Sequence, residues 1–351
     1  MIKIGGSKET VPALMPYSGF GHPGKQQWRI RLSGVVWQTP IIFNRRQRMM
    51  IRMLGGVMQA TPDEINGETF QSRITPFLAE ADHRQSVIVT INGKSHRLRK
   101  KTRRNGHFHD WLTVSNADVE QATVESSGRQ LLRVLFSIEG QKSEPVSGSV
   151  YLHQPQGISV ISDIDDTIKD SSVGDRRELL ANTFLREFRS IDGMADVYQD
   201  WADGGAKFHY VSSSPWQLYA PLQQLHEDHG FPAGTMHLRN FRLRDQLLKR
   251  LILRRKGKAT AIRLLLESMP GRDFVLVGDS GEKDPKIYRK ICREYGSRIK
   301  AVFIRDVDHR PLDEERFHKL NQSLPDGRCA TFSTADQLRE QAEHLFVPVG
   351  C

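Results

Sequence analysis

Residues 157–169 read GISVISDIDDTIK, an apolar run of Ile158, Val160 and Ile161 that stops at a knot of acidic and hydroxyl side chains. Such a run predicts a buried strand ending in a loop. In an open α/β sheet the ligand crevice lies beyond the carboxyl ends of the strands, which sets Asp163, Asp165, Asp166 and Thr167 at its mouth. Carboxylates this close repel one another, and a hard cation such as Mg²⁺, which prefers oxygen ligands, removes the penalty. A lone DxD also occurs as a plain acidic turn, so the motif needs company. A calcium loop fits poorly, because its glycine at the sixth position falls on Ile168.

Downstream, strands alternate with helices, the pattern of a parallel sheet covered on both faces. Helices are expected at 176–188 and 194–201, then a strand over Lys207–Val211 that runs into Ser212, Ser213 and Ser214. Pro215 suits the first turn of a helix with Leu218, Leu222 and Leu225 inward. A short extended piece, Thr235–Phe241, precedes the basic stretch KRLILRRKGK and a helix carrying Ile262, Leu265 and Leu266. The strand Asp273–Val277 terminates in GDSGEKD, Pro285 opens a helix, and Lys300–Ile304 forms the next strand. Ser212, Lys258, Asp279 and Asp284 therefore gather at one edge of the expected sheet, with Asp163 and Asp165. A phosphomonoester is a dianion near neutral pH. A carboxylate attacks it only where positive charge screens the approach, and a lysine and a divalent cation supply that charge.

DIDDTIK, GMADVY, YVSSSPWQLY, HGFPAG with LRNF, KATAI, LVGDSGEKDPKIY and IRDV cover Gly157–Val307. These motifs resemble the haloacid dehalogenase superfamily of aspartate-nucleophile phosphohydrolases and, within it, the actin-patch-associated phosphatidate phosphatase family. The resemblance implies a haloacid dehalogenase-like parallel sheet with helices on both faces. It also implies a Mg²⁺-dependent phosphatase that passes through an aspartyl-phosphate. Carried over position by position, it makes Asp163 the nucleophile and Asp165 the acid that protonates the leaving oxygen and then deprotonates water. Asp163, the backbone carbonyl of Asp165 and Asp279 become Mg²⁺ ligands, with Asp284 in support. Ser212 and Lys258 hold the phosphoryl group, and Thr167 orients the loop. Lys256 matches Lys258 in charge, but Lys258 stands four residues before Ile262, as in the family's pattern, whereas Lys256 precedes Gly257.

Neighbouring residues receive plainer roles. Asp166 points away from the acid in an extended strand end and serves structural hydrogen bonds. Ser213 and Ser214 cap the helix that Pro215 begins. Trp216 and Tyr219 contact the leaving group or pack in the core. His209, His226, His229 and His237 have no metal-ligand spacing and read as packing or surface residues.

Upstream of residue 154 the composition shifts. Residues 1–150 hold 21 Lys+Arg against 12 Asp+Glu, leaving 30 against 29 for the rest, so the first part carries +9 of the net +10. Residues 1–27, rich in Gly and Pro, read as an extended lead-in, 28–153 as a small basic all-β sandwich-like domain, and 154–351 as the phosphatase domain. Asn92-Gly93 and Asn105-Gly106 mark hairpins. NRRQRMMIRMLGGVMQA predicts a basic amphipathic helix whose Met stripe reads as core, or alternatively as a face laid on a membrane or a phosphate backbone.

The basic excess suits a polyanion, an anionic lipid surface or nucleic acid. Cys292, Cys329 and Cys351 are widely spaced, so neither a disulfide framework nor a disulfide-linked partner is expected. The opening MIKIGGSKETVPALMP lacks an apolar leader core, and no stretch approaches a membrane span, which predicts a cytoplasmic protein, peripheral to the membrane at most. Thr167 and Ser212 leave little room between them for a large cap, so the crevice is expected to be open and to favour a phosphate on something large. The leading reading is a phosphatase for phosphatidate or a related lipid phosphate. The alternatives are a phosphatase for nucleic acid or phosphosugar ends, and a nucleic-acid-binding module with a metal site.

Overall fold

The computed structural model describes residues 10–40, 42–126, 129–171, 175–240, 257–281, 283–308, 310–324 and 328–346. The chain divides into two compact units, one ending at Leu152 and the other beginning at His153.

The strands of the first unit are β1 (Thr10–Pro23), β2 (Gln27–Pro40), β3 (Glu80–Ala81), β4 (Val87–Ile91), β5 (Lys94–Arg97), β6 (His107–Ser115), β7 (Thr123–Ser126), β8 (Arg129–Ile138) and β9 (Val146–Leu152). They form one sheet in the order β3-β2-β1-β9-β8-β4-β5, with β6 added to β2 and β7 to β8. Ile30, Leu32, Val89, Phe108, Leu132 and Val150 share one core although β2 and β4 are far apart in the sheet, so the sheet curls over its own apolar face. Asn92-Gly93 makes the β4–β5 hairpin with both residues at positive φ, the primed turn that matches strand twist.

Three expectations are corrected here. The lead-in 1–27 contains β1, a full strand between β2 and β9. The unit is not all-β: α1 (Arg45–Met58), α2 (Pro62–Asn66), α3 (Glu68–Leu78) and α4 (Asn116–Ala122) belong to it. The Met stripe of α1 is only partly core, since Leu54 and Met58 are buried while Met49 and Met53 are exposed.

The second unit is built on β10 (Ile158–Ser162), β13 (Lys207–Pro215), β14 (Gly234–Arg239), β15 (Asp273–Asp279), β16 (Ile299–Arg305) and β17 (Cys329–Phe332), all parallel, in the order β14-β13-β10-β15-β16-β17. Strands β11 (Lys169–Asp170) and β12 (Arg189–Ser190) pair separately. Consecutive residues of β10, β15 and β16 are buried, which requires cover on both faces of the sheet. The connecting helices are α5 (Arg176–Phe184), α6 (Met194–Asp203), α7 (Tyr219–Asp228), α8 (Lys258–Ser268), α9 (Asp284–Tyr295), α10 (Glu314–Asn321) and α11 (Ala335–Ala342). Chain order runs outward from β10 to one edge through β13 and β14, then resumes at β15 on its other side. The crossover reverses direction between β10 and β15, and the crevice beyond their carboxyl ends is where such a sheet binds ligands. At the opposite end, the buried Arg272 donates to the carbonyls of Gln154, Gln156 and Ile158 and to Ser159 Oγ, pinning the start of β10.

No helix among the described residues is long and apolar enough to cross a membrane. Cys292 and Cys329 are buried free thiols, with burial pushing the pKa of each up to about 12, and Cys351 lies outside the described residues.

Candidate active site

The last ladder bond of β10 is made by Asp163, whose N–H donates to Val277 O of β15 at 2.9 Å. The Asp163 carboxylate thereby leaves the sheet beside Asp279, the final residue of β15. Asp284 is the first residue of α9, where a carboxylate also meets the positive end of the helix dipole. Oxygens of Asp163, Asp279 and Asp284 all lie within 4.8 Å of one another, and the three residues are buried. Gly278 is required for this approach, because a Cβ there would fall 2.4 Å from Asp284 Oδ2 and 2.8 Å from the Tyr288 hydroxyl.

Lys258, the first residue of α8, is equally buried and reaches Asp163 Oδ1 at 2.8 Å and Asp284 Oδ1 at 2.6 Å. Among the described residues, three carboxylates gather around one ammonium in this buried site, an excess of negative charge. Such an imbalance is costly without a counter-ion. A divalent cation matches both that residual charge and the all-oxygen donor set, so the residues present fit the metal that the motif calls for. The competing lysine, Lys256, lies outside the described residues.

Asp165 has a separate surrounding. Its Oδ2 accepts from Ser212 Oγ at 2.8 Å and Ser214 Oγ at 2.7 Å, and its Oδ1 from Ser171 Oγ at 2.9 Å and Lys169 Nζ at 3.2 Å. Burial opposes ionisation of this carboxyl, but the Lys169 charge and the three hydroxyl donors outweigh it and hold the group well below the usual carboxylate range. The side chain of Asp165 therefore stands apart from the acidic cluster, which consists of Asp163, Asp279 and Asp284. Ser214 faces Asp165, in contrast to the capping expected of it, and Ser212 receives the Ser214 N–H at 2.8 Å.

The loop between these groups is tightly ordered. Asp166 takes a left-handed conformation, φ 56, which aspartate tolerates better than most residues. Its Oδ1 accepts from Ser171 N, its N–H donates to Lys169 O, and its carbonyl accepts from Arg305, all structural bonds. Thr167 is fully buried, and its hydroxyl has no hydrogen-bond partner among the described residues. Ser162 donates to Asp163 O at 2.6 Å and shares a hydrogen bond with the buried Tyr198 hydroxyl. Trp216 and Tyr219 are buried.

Sequence reasoning passed over Lys169, Ser171 and Ser214 as partners of Asp165. The signal for Lys169 was its position four residues after Asp165, and its Nζ is also 4.7 Å from the Phe188 ring centroid. His209 hydrogen-bonds Thr235 at 2.6 Å and packs 5.2 Å from the His153 ring, and it is not part of the acidic cluster of Asp163, Asp279 and Asp284.

Comparison with known proteins bears on this unit and extends beyond it. Residues 158–306 match the family model described as phosphatidate phosphatase APP1, catalytic domain. Over 269 residues the chain is 35% identical to phosphatidate phosphatase APP1 of Saccharomyces cerevisiae, covering 73% of this chain and 45% of that protein. It is also 35% identical over 157 residues to an uncharacterized protein of Schizosaccharomyces pombe, covering 43% of this chain and 25% of the relative. The chain thus spans less than half the length of these curated relatives. A Thermotoga maritima structure assigned as a beta-phosphoglucomutase aligns with 53% of this chain and 99% of its own, at a TM-score of 0.33 and 10% identity.

Proposed function

With the segment 158–306 similar in sequence to the catalytic domain of phosphatidate phosphatase APP1, we propose that this protein is a Mg²⁺-dependent phosphatase of phosphatidate or a related lipid phosphate, built on a haloacid dehalogenase-like domain. One observation carries the reading: Asp163, at the carboxyl end of the central strand, is gripped by Lys258 beside Asp279 and Asp284. Asp163, Asp279 and Asp284, with the carbonyl of Asp165, would hold Mg²⁺, which supplies Lewis-acid polarisation of the phosphoryl oxygens and screening of their charge.

In this reading an Asp163 oxygen forms a bond to phosphorus as the bond to the alcohol oxygen breaks, giving an aspartyl-phosphate. Asp165 delivers the proton that the leaving oxygen needs. It then accepts one from the water that attacks the phosphorus and releases Asp163. Lys258 offsets the charge of the phosphoryl group and keeps Asp163 in line. The Ser212 hydroxyl donates to Asp165. A phosphoryl oxygen that takes this donor removes one hydrogen bond from the ionised carboxylate and so helps Asp165 to hold a proton.

The test is phosphate release with Mg²⁺ from phosphatidate, nucleotides, nucleic acid ends and sugar phosphates. Release from phosphatidate by the wild type, and none by Asp163→Asn, is the expected result. Release confined to nucleic acid ends or sugar phosphates would overturn the lipid reading.

A further inference from the structure

Away from the carboxylates, a surface that is both apolar and basic lies on and just before α1. Among the described residues the exposed large hydrophobic side chains are Ile42 at 72%, Met49 at 67%, Met53 at 47% and Leu135 at 44%, so all but one fall within 42–53. Arg45, Arg46, Arg48 and Arg52 are exposed in the same segment. The helix sequence, RRQRMMIRMLGGVM, contains no acid, and among the described residues none of these arginines pairs with a carboxylate.

Helical geometry orders these groups. At 100° per residue, Met49 and Met53 lie one turn apart in the middle of the outward arc. Arg45 precedes Met49 by one turn, Arg48 and Arg52 flank the ridge on one side, and Arg46 flanks it on the other. Leu54, Gly55 and Met58 face inward and are buried, so the helix is already anchored by its opposite side. An Asn44–Gln47 capping box fixes its start and leaves Ile42 beside the first turn.

An apolar ridge flanked on both sides by guanidinium groups suits one chemistry. Arginine stems lie along an apolar surface while their heads reach phosphates, and methionine adapts its shape to an irregular apolar medium. A nucleic acid backbone would satisfy the arginines but leave the methionines in water. A second copy docked through the same face would bring arginine against arginine. We propose that α1 lies on the surface of an anionic phospholipid bilayer, with Ile42, Met49 and Met53 at the acyl boundary and Arg45, Arg46, Arg48 and Arg52 at the lipid phosphates. The inference deepens the lipid-phosphate reading by naming the surface that brings the enzyme to its substrate.

Binding of the full chain to phosphatidylcholine vesicles, with and without phosphatidylglycerol, tests it by co-sedimentation. Neither lipid is a phosphomonoester, so binding is read without turnover. The wild type should bind the phosphatidylglycerol vesicles and release them partly in high salt. Met49→Ser/Met53→Ser should weaken binding about tenfold at either salt, as two half-immersed side chains are lost. Arg45→Gln/Arg48→Gln/Arg52→Gln should weaken it about 100-fold at low salt and abolish most of the salt dependence. Met49→Leu/Met53→Leu, which keeps the apolar area, should bind as the wild type does. All three variants should hydrolyse a soluble phosphomonoester at the wild-type rate. Equal binding by every variant, no binding by the wild type, or failure of the leucine variant would overturn the proposal. So would loss of duplex DNA binding in place of vesicle binding, or a wild-type dimer that the serine variant dissolves. Vesicle binding without any phosphate release would refute the enzymatic reading and leave this surface standing.

Discussion

The ammonium of Lys258 sits 2.8 Å from the Asp163 carboxylate, and both side chains are sealed from solvent. Burial makes each charge costly without an opposite one, so the pair supports both, and it sets where Asp163 points. Asp284 shares the same ammonium at 2.6 Å, which extends the constraint to the start of α9.

Removing that ammonium should expose the imbalance directly. Lys258→Met is expected to lose about 3–5 kcal/mol of stability, the usual cost of leaving a buried charge unpaired. Three carboxylates with no internal cation should bind Mg²⁺ more strongly than the wild type does. Thermal melts with and without Mg²⁺ should therefore converge for the two proteins as Mg²⁺ is added, and parallel shifts would argue against a metal at this cluster.

Asp163→Asn should eliminate phosphate release and keep the fold, since the amide is nearly isosteric but a poor nucleophile. Asp165→Asn should lower the rate by about 10²-fold or more, the usual contribution of general acid–base catalysis. Single-turnover phosphate release, with circular dichroism as the check on folding, measures both. A near-normal rate for Asp165→Asn would move proton transfer to another group.

Gly278→Ala places a methyl group 2.4 Å from Asp284 Oδ2, inside a region with no slack. Overpacking of this kind costs about 1–3 kcal/mol. Because the displaced atom belongs to the acidic cluster, apparent Mg²⁺ affinity should fall as well. A stability loss with unchanged Mg²⁺ dependence would show that Asp284 is peripheral to the metal.

His226 offers a pH dependence unrelated to the active site. It is buried against the rings of Tyr210 and Phe231, and desolvation lowers its pKa from 6.5 to about 3. Below pH 6.5 the unfolded chain takes up a proton that the folded chain refuses, so stability falls as pH falls, by up to about 1.4 kcal/mol per pH unit between 6.5 and 3 from this group. Urea unfolding at several pH values should show a shallower slope for His226→Leu than for the wild type. Identical slopes would remove His226 from the account.

The central strand and its carboxylates were legible because burial and chemistry leave local marks. An apolar run that stops at DIDD fits the end of a buried strand and little else, and GDSGEKD repeats the arrangement on the neighbouring strand. The partners of Asp165 were hardly legible, because Ser212 and Ser214 reach it only through the sheet, Ser171 reaches it only through the fold of the intervening loop, and serine is common in every turn. Strand β1 was missed because its glycines and prolines imitate a loop. Gly19 is there for proximity, since a Cβ would meet Arg31 O at 2.4 Å. The helix α1 was read correctly as basic and amphipathic. Which of its two faces turns inward depends on its neighbours, Ile65 of α2 against Gly55 and Leu78 of α3 bonded to Gln47, and periodicity alone does not specify that.

The Arg272 clamp bears on how the molecule comes into being. Its bonds to Gln154, Gln156, Ile158 and Ser159 join positions 113 to 118 residues apart. β10 pairs with β13, which begins at Lys207, but its other neighbour, β15, begins only at Asp273. During synthesis this buried strand therefore waits with one edge open, the condition under which strands join the wrong partner. Closing so long a loop is entropically slow, and the clamp then fixes the register of the strand that leads into Asp163. Nascent chains that stop short of Asp273 should accordingly depend on chaperones far more than chains that extend past Asp284.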